Sequence, residues 1–267
     1  MDQLRRELAP LSEAAWTAID REAANTLREM LAARKLVDFR GPLGWEASSV
    51  DLGRVERLKR APSDGVEVRM RKVLPLVELR VPFALVRDEI EALDRGAPDA
   101  DLQPVVEAAR RAAWAEDGVV FDGLREAGIR GVAESAPEVL PLGDDYLRYP
   151  DAVADALEKL RTAGVAGPYG VALGPRCYTG LTRTRDAGYP VIEHVRRLLD
   201  GPIVRAPTAD GALILSLRGG DFELSVGRDF SIGYLDHDDR QILLYIEETC
   251  TFQVNTPEAA VALRYSP

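Results

Sequence analysis

Cysteine and histidine are scarce in this chain of 267 residues, which has two of each. Cys177 and Cys250 lie far apart and supply no disulfide framework. His194 and His237 leave little material for metal or acid–base chemistry. Positive charge is also in deficit, with 34 Lys and Arg against 44 Asp and Glu, for a net charge of −10. A protein that wraps nucleic acid needs basic surface to neutralise phosphates, so nucleic acid is not an expected partner. An anionic membrane surface is disfavoured for the same reason. No apolar run approaches the roughly 18 residues of a spanning helix. The first residues, MDQLRRELAPLSEAAW, lack an uninterrupted apolar core, so no signal peptide is expected and the cytoplasm is the expected compartment.

What is present suits a folded domain with ample core: 46% hydrophobic and 29% charged residues. The most informative stretch runs from Arg218 to Gln253. Its last part alternates, with Ile242, Leu244, Ile246, Cys250, Phe252 and Val254 on one face and Gln241, Glu247, Thr249, Thr251 and Gln253 mostly on the other. Period-two alternation predicts a long, half-buried strand, able to anchor a large sheet. Ser12 is a candidate N-cap for a helix whose stripe is Trp16, Ile19, Ala23, Leu27, Met30 and Leu31, ending near Arg34 to Leu36. Further helices are expected at Asp88–Asp94, from Asp101 to about Glu126, at Asp151–Ala163 and near Val191–Leu199. Ser49–Lys72 is polar and charged, with a turn at Pro62–Gly65; it reads as an extended hairpin without a core of its own, the kind of segment that packs on a partner chain or lies in solvent. The whole is α+β rather than a regular βαβ alternation.

The search for chemistry finds little. Asp236, His237, Asp238 and Asp239 read as a hairpin turn before they read as a metal cluster. Cys177 and Cys250 sit in apolar, strand-like contexts and read as buried, inert thiols. Gly219-Gly220-Asp221 reads as a hairpin turn, and Glu247 and Glu248 point to opposite faces of one strand. Arg34, Lys35 and Asp38, just past the apolar stripe of Leu27 and Leu31, suggest a groove with an apolar wall and one charge of each sign, suited to an apolar peptide with a basic or polar flank.

Seven segments in register carry a resemblance: LAPLSEAAWTAID, ARKLVDFRGPLGWE, LPLVELRVPF, GVAGPYGVAL, GYPVIEHV, RGGDFELSVGRDFSIGY and EETCTFQV. Together they resemble the encapsulin shell proteins, once described as linocin-type bacteriocins, over about residues 1 to 265. The resemblance implies the tailed-phage major capsid fold, divided as an N-terminal helix and start of a peripheral domain (1–48), an extended loop (49–72), the peripheral domain (73–135), an axial domain (136–222) and a return to the peripheral domain (223–267). It implies self-assembly into a closed icosahedral shell of the smallest class, enclosing a dye-decolourising peroxidase or a ferritin-like iron-oxidising protein that bears a C-terminal targeting peptide. Leu27, Leu31, Arg34 and Asp38 on the helix side, with Ile232 and Tyr234 on the sheet side, are the expected peptide groove. Asp186, Ala187, Gly188 and Tyr189 match the loop that gathers at the fivefold pore. Some relatives stack a flavin on a tryptophan in the segment matching Leu85–Asp94; this chain has none there, and no cofactor is expected. The rival readings are a peptidase-like enzyme and the capsid protein of a defective phage.

Overall fold

The computed structural model describes residues 3–265. Its longer helices are α1 (Glu13–Met30), α2 (Arg87–Asp94), α3 (Gln103–Phe121), α5 (Tyr149–Thr162), α6 (Pro175–Arg183) and α7 (Val191–Leu198), with a single turn, α4, at Val132–Ser135. The strands begin with β1 (Asp38–Arg40), the hairpin β2 (Ser49–Arg57) and β3 (Arg69–Pro75), and β4 (Val77–Val86). A ribbon of β5 (Gly123–Leu124) and β6 (Ile129–Arg130) precedes β7 (Glu138–Leu142) and β8 (Tyr169–Leu173). A second ribbon, β9 (Arg185–Asp186) and β10 (Tyr189–Pro190), joins α6 to α7. Then come β11 (Ile203–Arg205), β12 (Ala212–Ser216), β13 (Phe222–Val226), β14 (Ser231–His237), β15 (Gln241–Val254) and β16 (Ala260–Tyr265).

These strands build two five-stranded sheets. In the first, β15 is the spine: β4 lies along one edge, β14 and β13 follow each other along the other, and β1 adds in parallel to β13. The second sheet has the order β11-β8-β12-β16-β7. One core joins α1, α2 and α3 to β4, β14 and β15 through Ile19, Leu27, Leu85, Val105 and Ile246. A larger core packs α5, α6 and α7 on the second sheet around Leu157, Leu160, Leu173, Leu181 and Ile214, and reaches β13 and the far end of β15.

Several local expectations change. Helix α1 starts as predicted, with Ser12 Oγ accepting from the Ala15 amide at 3.0 Å, but it stops at Met30 rather than near Leu36. The cause is tertiary: the Asp117 carboxylate accepts from the amides of Ala32 and Ala33, at 3.1 and 2.8 Å, and so takes donors that a continued helix would use. Helix α3 ends at Phe121, short of Glu126, and Gly123 with φ +85° follows. There a Cβ would meet the Gly131 amide nitrogen at 2.5 Å, so only glycine permits the ribbon.

The strand β15 is 14 residues long, and it is buried on both faces instead of one. The expected solvent face is covered by the Trp45 and Gly227–Arg228 segments: the Arg228 amide donates to Thr249 Oγ1 at 2.8 Å, and the Arg228 guanidinium lies 4.2 Å from the Trp45 ring centroid. Gly219 and Gly220, both with positive φ, link β12 of one sheet to β13 of the other, so the segment is a crossover and not a hairpin turn. Residues 260–265 form β16, which pairs with β12 and β7. This last strand therefore sits with elements of 136–222 rather than with 223–254, where the expected division had put it.

The hairpin β2–β3 stands apart. Its strands pair from Ser49 with Pro75 to Arg57 with Arg69, and among its strand residues only Val50 is buried. Val55, Leu58, Val66, Met70 and Val73 are all exposed.

Candidate functional site

Helix α1 presents Ala23 and Leu27 toward β14 and β15 because the apolar positions recur at helical spacing. Between them is a cavity of about 330 Å³ lined by Ala23, Leu27, Phe230, Ile232 and Ile246, with Arg6 and Asp20 on its wall. It is at the small end for a ligand pocket and holds one or two side chains. Arg6 Nη2 donates to Asp20 Oδ2 at 2.6 Å, and its guanidinium lies 3.9 Å from the Trp16 ring centroid. The edge strand β14 forms the floor, and the Tyr234 amide donates to the carbonyl of Leu4 at 2.8 Å.

Of the six residues expected to line a peptide groove, the structure brings Leu27 and Ile232 into this cavity. Leu31 is buried in the core beneath α1, as the residue that closes that helix. The Tyr234 side chain turns to His237, whose Nδ1 lies 2.5 Å from the phenol oxygen. Asp38 does a different job: on β1, its Oδ2 accepts from the Gly220 amide at 2.5 Å and fastens the crossover between the sheets.

Arg34 is not among the cavity's lining residues and stands at the centre of a largely buried ion cluster. Its guanidinium donates to Glu116 at 2.8 Å, to Asp229 at 2.8 Å and to Glu248 at 2.6 Å, and the side chains of Glu116 and Glu248 are fully buried. Burial works against the charge on Arg34, but its hydrogen bonds to Glu116 and Asp229, with the charges of Glu116 and Glu248, outweigh it and hold the guanidinium protonated. Burial also pushes the Glu248 carboxyl well up, and the neighbouring Glu116 adds to the shift. Asp117, one residue on, is pushed up to about 7 by burial against the lowering effect of the Ala33 and Ala32 amides. The cluster ties the end of α1 to α3, to β15 and to the β13–β14 connection. Its sequence signal is Glu116-Asp117 inside the apolar run of α3, two acids where a core stripe should continue.

Glu247 and Glu248 do face opposite ways: Glu247 pairs with Arg80, directly across from it on β4. Asp238 caps its own turn by accepting from the amides of Arg240 and Gln241, both at 2.7 Å. No group of three or more potential metal ligands converges among the described residues. Both thiols are free and buried; Cys250 is in β15, while Cys177 is on α6, a helix that the sequence pattern concealed. No helix among the described residues is long and apolar enough to cross a membrane.

The four expected pore residues lie together in the ribbon β9–β10, where Asp186 pairs with Tyr189 across a two-residue turn. Ala187 and Gly188 both have positive φ, as a I′ turn requires. All four are exposed, Tyr189 at 64%. Behind them, His194 Nε2 on α7 lies 3.7 Å from Asp186 Oδ2.

Two sheets, a projecting hairpin and a tip ribbon define a capsid-type subunit. The same fold occurs in the virus-like particle of Pyrococcus furiosus, which superposes with a TM-score of 0.68 at 18% identity over 93% of this chain and 99% of that one. The capsid of Myoviridae phage XM1 matches with a TM-score of 0.56 at 11% identity over 87% of this chain and 90% of that one. Residues 1–251 match the family described as encapsulating protein for peroxidase. The type 1 encapsulin shell protein of Rhodospirillum rubrum is 54% identical, with 99% of this chain and 97% of that protein covered. That of Mycobacterium tuberculosis is 46% identical, with 99% and 100% covered. The chain belongs to the encapsulin shell protein family.

Proposed function

We propose that this chain is the subunit of a closed icosahedral shell that holds an enzyme inside by a short peptide docked between α1 and β14. The observation that carries the shell reading is the hairpin β2–β3, which exposes Val55, Leu58, Val66, Met70 and Val73 with no core beneath them. Neighbouring copies are the natural cover, and each contact adds burial at roughly 25 cal/mol per Å² that a closed array repeats many times. The cargo is a protein ending in an apolar tail. Leu27, Ile232 and Ile246 supply the apolar wall and the Arg6–Asp20 pair the charged rim. A peroxidase is the favoured cargo, in keeping with the description of the matching family. A ferritin-like iron-oxidising protein suits the same tail chemistry. Asp186, Ala187, Gly188 and Tyr189 form a pore loop, where repeated copies of Asp186 favour cations.

The test is co-expression with a fluorescent protein that carries a short C-terminal tail of leucine and isoleucine followed by arginine. Burying one such side chain contributes about 1.5–3 kcal/mol. Leu27→Asp should leave particles assembled and empty. Equal loading in variant and parent would remove the groove, and a monodisperse monomer at micromolar concentration would remove the shell. Nucleic acid in purified particles would favour a phage-type capsid instead.

A further inference from the structure

The cavity is not built from α1 and the sheet alone, because the chain's own N-terminal segment borders it. Leu4 and Arg6 stand in its wall, and the Leu4 carbonyl takes up the Tyr234 amide on β14. Strand β14 is an edge strand, and an edge is where an extended peptide adds by main-chain hydrogen bonds. The segment therefore makes the contact that an incoming peptide would make. Its hold is slight. The 3₁₀ turn at Arg6–Leu8 buries none of its residues. The ion pair of Arg6 with Asp20 joins side chains 30% and 45% exposed. Arg5 has φ 51°, the left-handed region that a side chain disfavours, so the segment enters its turn under local strain.

We propose that residues 3–9 are a displaceable strap that competes with the cargo peptide for the edge of β14 and so sets how readily the groove accepts a tail. This rests on the groove reading above. In an empty shell the strap satisfies the Tyr234 amide and roofs the apolar wall of Leu27 and Ile232. In a loaded shell the peptide replaces it, and the Arg6–Asp20 pair opens to admit the tail's charged flank. The competition discriminates among tails: a partner must match what the strap already provides before it gains anything. A tail that is apolar but lacks edge hydrogen bonding cannot displace Leu4, and a charged tail cannot fill the space beside Leu27.

The experiment uses intact shells co-expressed with limiting amounts of the leucine–isoleucine–arginine tail on a fluorescent protein. Two variants unfasten the strap, Arg6→Ala and deletion of residues 3–8. Both should load more tail than the parent, by roughly fivefold, the factor that one net hydrogen bond is worth. Hydrogen exchange gives a second reading: residues 3–9 should exchange faster in loaded than in empty shells, while the Tyr234 amide stays protected in both. The control is Leu27→Asp. If it still loads fully, the groove reading itself fails. If it is empty but the unfastened variants load no more than the parent, the segment is a fixed wall and the strap is overturned. Unchanged exchange of residues 3–9 on loading would overturn it as well.

Discussion

The hairpin β2–β3 and the spine strand β15 are both extended, both charged and both long, yet they are held by opposite means. In the hairpin, Arg57 and Arg69 meet Glu67 and Lys72 meets Glu56 at the surface, where ion pairs contribute little. In β15, Glu247 and Glu248 are buried and each meets arginine: Arg80 and Arg228 on one face, Arg34 on the other. Charge on the hairpin keeps an unpartnered strand pair soluble and discourages wrong edge pairing. Charge in β15 fixes which elements may meet. An acid buried in a spine strand is tolerated only where its arginine arrives, and Arg34 can arrive only if α1 stops at Met30. The lesson is that a charged strand says nothing about its role until its partners are known.

The comparison is broken most sharply at Arg34. Arg34→Ala leaves Glu116 and Glu248 buried without their cation, which costs about 3–5 kcal/mol. We expect a large fall in the melting temperature of the particles and a loss of soluble yield, read by differential scanning fluorimetry. Arg34 replaced without such a fall would mean that the cluster is not structural.

Next is the pH dependence. Burial pushes the Asp117 carboxyl up to about 7 from an ordinary value of 3.8, so the folded state favours its protonated form. The stability it contributes is complete below 3.8 and is lost as the pH rises through about 7, at about 1.4 kcal/mol per unit of pH. Glu248 works in the same direction. Asp117→Asn should therefore flatten the decline of the urea midpoint across that window. A variant that falls as steeply as the parent would place the titration elsewhere.

The hairpin should show a small effect on the subunit and a complete effect on the particle. Val55→Asp with Met70→Asp changes exposed positions and should alter the subunit's stability by less than about 0.5 kcal/mol. Light scattering should nonetheless show small species in place of shells. Assembly unharmed would leave the hairpin without its proposed neighbours. Smaller still is the change at the ribbon β9–β10, where Asp186→Lys should slow iron(II) entry at low salt and less so at high salt, with no change in stability. Entry unaltered at every salt concentration would take Asp186 out of the pore.

Much of the first sheet and of the helices was legible because both depend on periodicity. The stripe of α1 and the alternation of β15 are imprinted in single-residue spacing, and the Ser12 cap and the glycines at 96 and 164 mark helix ends locally. What could not be read depends on partners distant in sequence. The end of α1 is set by Asp117, 84 residues away from Ala33. The second buried face of β15 is set by Trp45 and Arg228. Helix α6 is short, and its Pro-Arg-Cys-Tyr-Thr-Gly run has no apolar stripe long enough to register. Leu27 and Ile232, which line the cavity beside α1, were identifiable as apolar residues on a predicted helix and strand. The ion cluster of Arg34 and the amide contact of Asp38 were not legible, because a charge near a helix end reads the same whether it faces solvent or, like Arg34, two buried acids and a half-exposed one.

The position of β16 has a consequence for the order of events during synthesis. It lies between β12 and β7, parallel to one and antiparallel to the other, so it is an interior strand of the second sheet. Everything it pairs with leaves the ribosome before it does. Until Ala260–Tyr265 emerges, β7 cannot join the sheet and the larger core stays open. The hairpin, by contrast, emerges early. A nascent subunit thus exposes the apolar side chains of its hairpin long before the strand that completes its second sheet has been made.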